Sequence, residues 1–124
     1  MTVKRSRTRP QAARAVDAAM GLVCTLPITR RGARRISVRS VIERAAVVNE
    51  TAEGVVLRFS PSDEIARIIL DLVLAERSCC AQFRYAIRFD PPHDAFELHV
   101  EADGDLVRPL QDLYRHLAAE ARDA

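Results

Sequence analysis

The stretch 54-GVVLRFSPSDEIARIILDLVLAE-76 changes its hydrophobic period midway, and that change decides the fold. Val55, Leu57 and Phe59 alternate with Val56 and Arg58, the period of a strand with one buried face. Ser60-Pro61-Ser62-Asp63 then carries helix-start chemistry: Ser60 as N-cap, Pro61 at the first helical position and acids in the first turn. Beyond it, Ile65, Ile68, Ile69, Leu72 and Val73 recur at spacings of three and four, the apolar stripe of a helix expected to run to about Cys80.

The pattern extends in both directions. Upstream, 49-NETAEG-54 joins this strand to a partner beginning near residue 46. Downstream, Phe83, Tyr85, Ile87 and Phe89 alternate with Arg84, Ala86 and Arg88, which predicts a half-buried strand. The loop 90-DPPHD-94 leads into Phe96, Leu98 and Val100, and a last helix starting near Asp105 places Leu106, Leu110, Leu113 and Leu117 on one face, with Pro109 tolerated in its first turn. From residue 46 onward the order reads ββαββα, a unit and its repeat. It predicts an α+β fold in which repeated ββα units form a four-stranded antiparallel sheet with helices on one face.

Before this lies a basic segment. Val38, Val41, Ile42 and Ala45 recur at helical spacing with arginines on the other side, so a basic helix is expected between Arg30 and Arg44. Residues 1–20 read as a basic flexible tail and 21–124 as a single α+β domain, since 124 residues suffice for one core. Up to Arg44, eleven Lys and Arg stand against Asp17 and Glu43; thereafter eight Arg face fifteen Asp and Glu. That asymmetry suits a nucleic-acid arm, a basic segment packed on its own acidic half, or solvated charge. Interleaved aromatics and a recognisable nucleic-acid-reading motif are both missing. No apolar run approaches the roughly 18 residues needed to span a bilayer, and no signal-like segment opens the chain, so the cytoplasm is the expected location.

In that compartment three cysteines read as ligands, nucleophiles or core residues rather than disulfides. Cys79 and Cys80 are adjacent, and a bridge between them is strained because their Cα atoms lie about 3.8 Å apart, below the usual disulfide minimum of about 4.4 Å. At about 100° per residue, Glu76 falls on the core stripe beside Ile69 and Leu72, while Cys79 and Cys80 flank it one turn on. A carboxylate on an apolar stripe is costly unless it is paired, hydrogen-bonded or protonated. At the bland end, Glu76 bends to water or to an arginine such as Arg84, and each cysteine is a small core residue. The sharper reading is that two thiols diverging by about 100° at a helix end turn toward one soft ion, with Cys24, in the Gly21 to Pro27 turn, as third sulfur. His93, His99 and His116 read as ordinary surface residues.

The succession Cys24-Thr25-Leu26, an arginine-rich helix, a hairpin ending in Leu57-Arg58-Phe59, then Glu76-x-x-Cys79-Cys80-x-x-Phe83-x-Tyr85 and a second hairpin resembles a group of small bacterial proteins. Their signature reads roughly Glu-x-x-Cys-Cys-Pro-Phe, and some resemble products met near heavy-metal resistance genes. The likeness spans about residues 21–117, with Ala81-Gln82 in place of Pro-Phe. It implies one shared site made of Cys24, Glu76, Cys79 and Cys80.

The leading expectation is therefore binding of a soft metal or metalloid ion (Hg, As, Cu or Zn) by Cys24, Cys79 and Cys80, for sequestration, transfer or detoxification. Two alternatives stand beside it: a thiol-redox or transfer enzyme with Glu76 as base, and a nucleic-acid or protein-binding module using the basic first third. A homodimer through the open sheet face, where Val56 and Ala86 sit, is also expected.

Overall fold

The structure, a computed structural model, describes residues 38–79 and 82–123. The predicted tail, the Cys24 turn and the arginine-rich start of the basic helix lie outside them.

The elements are β1 (Val47–Glu50), β2 (Gly54–Phe59), α1 (Asp63–Cys79), β3 (Arg84–Asp90), β4 (Ala95–Glu101) and α2 (Val107–Asp123), with a further helical segment over 38–44. The strands form one antiparallel sheet in the order β1-β2-β4-β3. Each hairpin pairs locally, and the two join along β2 and β4, where Val55, Leu57 and Phe59 lie opposite Val100, Leu98 and Phe96. Those six side chains form the buried face of an open sheet, because successive strand residues point to opposite sides. The architecture is α+β.

One core holds this face against the helices. It gathers Val38, Val41 and Ile42 from the first helical segment, Ile65, Ile69 and Leu72 from α1, and Leu110, Leu113, Tyr114 and Leu117 from α2. Each fully buried aliphatic side chain contributes roughly 1.5–3 kcal/mol relative to exposure, so the helices are held to the sheet mainly by these stripes. Arg44 ties the first segment to the start of α1 through Glu64 at 3.0 Å, an exposed pair of small energetic weight.

Local chemistry explains where the elements begin. The cap of α1 is Ser62, two residues later than expected: its Oγ accepts the Ile65 N–H at 3.1 Å and its carbonyl accepts the Ala66 N–H at 3.1 Å. Both serines have capping chemistry, but the hydroxyl that reaches the third helical N–H is the one after Pro61, which leaves Asp63 and Glu64 in the first turn, where the helix dipole favours acids. The last helix is entered through a 3-10 turn, Gly104–Leu106, and Gly104 supplies a positive φ of 53° there. Gly54 is required for a different reason. A Cβ at that position would collide with the Val100 carbonyl oxygen and press on a Leu110 methyl, so α2 sits against bare backbone. Gln111 reinforces this seat by donating to the Thr51 carbonyl at 2.7 Å.

The β3 expectation needs one correction. The strand starts at Arg84 rather than Phe83, which is buried just ahead of it, and its outer half is not half-buried. Ile87 and Phe89 share the inward face with Leu98 and Phe96, yet remain 42% and 57% exposed. Alternation identifies which face a residue occupies but not whether a helix reaches far enough to cover it.

Candidate metal centre

Glu76 lies on the last full turn of α1, on the same stripe as Ile65, Ile69 and Leu72, and is only 1% exposed. The helical-wheel placement is therefore met: the carboxylate is inside, one turn before the helix ends at Cys79. Arg77 next to it is exposed, and Phe83, just past the junction, is 6% exposed and belongs to the core. Buried residues thus stand in the chain on either side of 78–81, Glu76 before and Phe83 after.

Arg84, one candidate for pairing with Glu76, is engaged elsewhere. Its guanidinium donates to Asp103 at 2.7 Å and lies 3.6 Å from Glu53, and the bond and charge of Asp103 raise its pKa further above the ordinary arginine value.

Of the three cysteines expected as ligands, Cys79 is placed through its backbone as the terminal residue of α1, whereas Cys24 and Cys80 lie outside the described residues. Among the described residues no three His, Cys, Asp or Glu side chains converge as a metal-binding group. Since Cys24 and Cys80 lie outside those residues, that finding does not bear on the sulfur set. Two of the three histidines bond to nearby acids: His93 with Asp90 at 3.0 Å and His99 with Glu97 at 3.0 Å.

The last of these contacts belongs to a cluster that periodicity alone did not single out. Glu97, on the outward face of β4, is 8% exposed. Arg58 Nε and Nη2 both donate to its Oε2, at 3.1 and 2.7 Å, and since an ionised carboxylate only accepts, His99 donates Nε2–H to Oε1. The bonds from Arg58 and then His99 hold the Glu97 carboxyl below the ordinary glutamate range. Beside it opens a shallow cleft of about 320 Å³, with Arg88 and Asp94 among its lining residues. The signal that could have found this cluster was register: Arg58 and Arg88 are the two cross-strand partners of Glu97. The outward face is consequently a charged surface in which Val56 and Ala86 are minor apolar islands.

No helix among the described residues is long and apolar enough to cross a membrane. The chain matches no protein-family model, no curated protein and no solved structure.

Proposed function

We propose that this chain binds a soft metal or metalloid ion through Cys24, Cys79 and Cys80, with Glu76 beside the thiols, and that it serves sequestration, transfer or detoxification of that ion. The observation that carries the reading is the burial of Glu76 on an apolar stripe one turn before two adjacent cysteines. A carboxylate one helical turn before two adjacent thiols in the chain joins a proton acceptor and oxygen donor to soft sulfur donors, the set that a thiolate site uses.

Thiolates are the preferred ligands of Cu(I), Zn(II) and, by the same softness, Hg(II) and trivalent arsenic. Binding requires the thiols to lose their protons. The C-terminal end of α1, where Cys79 stands, disfavours negative charge, so the charge of the arriving ion is what drives deprotonation. Glu76 takes up a released proton and orients the nearer sulfur. Three thiolates match an ion of trigonal preference, whereas zinc asks for a fourth ligand; this favours Hg(II) or As(III) over Zn(II).

The test is titration of the reduced full-length protein with Hg(II), As(III), Cu(I) and Zn(II), following thiolate-to-metal absorption and released protons. One equivalent of Hg(II) or As(III) is expected to bind tightly to wild type and at least about 10-fold more weakly to Cys79→Ser. Equal affinity for Cys79→Ser, or no stoichiometric binding by wild type, overturns the proposal.

A further inference from the structure

The two edges of the sheet are built differently. The β1 edge is four residues long, and its inward Glu50 is clamped by Arg115 of α2. A short strand carrying an inward charge is a common protection against edge-to-edge pairing. The β3 edge has none of these devices. It is seven residues long, contains no proline and pairs with β4 in an uninterrupted register from Arg84 to Asp90, without a bulge. Among the described residues its other side has no strand partner. On its inward face Ile87 and Phe89 are large, apolar and exposed.

We infer that this edge is an interface between two copies of the chain, formed by antiparallel pairing of β3 with its counterpart about a two-fold axis through Ile87. An isologous contact must be self-complementary, so residue i facing j requires j facing i. Centring on Ile87 satisfies this along the strand. Ile87 faces Ile87 of the other copy, and Tyr85 faces Phe89, so every inward pair is apolar and continues the ladder begun by Val100, Leu98 and Phe96. On the outward side Arg84, whose guanidinium also bonds Asp103 of its own chain at 2.7 Å, faces Asp90, which brings opposite charges together twice, and Ala86 faces Arg88, leaving space for the longer side chain. No like charges stand directly opposite one another. A shift of one residue in the pair sum would instead set inward apolar side chains against outward charged ones, since a one-residue slip moves a strand's side chains to the other face.

The product is a continuous eight-stranded antiparallel sheet in which Ile87 and Phe89 of both copies are covered at the seam. The edge supplies backbone hydrogen bonds and the apolar ladder supplies burial, while the charged outward face built around Glu97 stays in water. The interface is small, so association is expected to be concentration-dependent.

Sedimentation equilibrium of the full-length protein, reduced and with chelator to exclude disulfide or metal bridging, tests this. Wild type is expected to be dimeric at about 100 μM and to dissociate on dilution. Ile87→Lys places two ammonium groups against each other on the axis and raises the dissociation constant about 100-fold; Arg84→Asp raises it about 10-fold. The double variant Arg84→Asp with Asp90→Arg recreates the pair with its charges exchanged and returns the constant to near the wild-type value. Both changed positions are on the surface, and a thermal melt of each variant confirms that it is folded. A wild type that stays monomeric, a dimer indifferent to Ile87→Lys, or a double variant no tighter than Arg84→Asp alone each overturns the interface.

Discussion

Glu76 and Glu97 are the two buried charged residues among those described, and they are buried in opposite ways. Glu97 lies on the outward face of the sheet, where Arg58 donates two hydrogen bonds and His99 one. Its burial comes from the partners themselves, which cover the carboxylate while their own stems remain partly exposed. Glu76 instead extends the stripe of Ile65, Ile69 and Leu72 into the interior. The first carboxylate is a surface ion cluster closed over by its neighbours; the second continues the apolar stripe of a helix into the core. Equal burial can therefore arise from a hydrogen-bonded cluster on a sheet surface or from a place on the apolar stripe of a helix.

Three substitutions probe that contrast. The largest effect is expected at Leu72, 5% exposed and one turn before Glu76: Leu72→Ala should cost about 2–5 kcal/mol in chemical denaturation, because the stripe around Glu76 is true core. A cost under about 1 kcal/mol would mean that this end of α1 opens readily to water, and Glu76 would then resemble Glu97. Next comes Glu76→Gln, which keeps the shape and removes the charge; a loss of about 1–3 kcal/mol at neutral pH is expected, as a buried polar contact is weakened. Unchanged stability would show that the fold gains nothing from the negative charge at this position.

The smallest effect belongs to Glu97→Gln, at about 0.5–1.5 kcal/mol, and it carries a pH signature. Since the folded carboxyl titrates below its unfolded value, its contribution is present above the unfolded pKa, about 4.3, and disappears as the pH falls through the lower folded value. Stability of wild type should thus decline more steeply below about pH 4 than that of Glu97→Gln. Parallel acid limbs would remove Arg58 and His99 as the cause of the burial.

Much of this contrast was legible in the sequence. The switch from period two to period 3.6 near Ser60 located β2 and α1, and the helical wheel put Glu76 inside. Other features depend on three-dimensional reach. Two serines bracket Pro61, and only geometry selects Ser62 as cap. The exposure of Ile87 and Phe89 follows from how far the helices extend across the sheet, which no local pattern encodes. Glu97 looked like a solvent-facing residue because alternation assigns a face without weighing the arginines that register sets on either side. As for the sulfur set, adjacency of Cys79 and Cys80 is plain in the chain, but the approach of Cys24 is a long-range matter on which spacing is silent.

The order β1-β2-β4-β3 also bears on how the chain reaches this structure. Each hairpin closes over a few residues, whereas the central seam must bring Phe59 to Phe96 and Gly54 to Glu101 across the whole of α1 and β3. Closure over that span costs more chain entropy than either hairpin turn, and the seam also contributes most of the buried sheet face. The pairing that is costliest in chain entropy is thus the one that joins the two hairpins, and α1, as a helix, shortens the span between its ends.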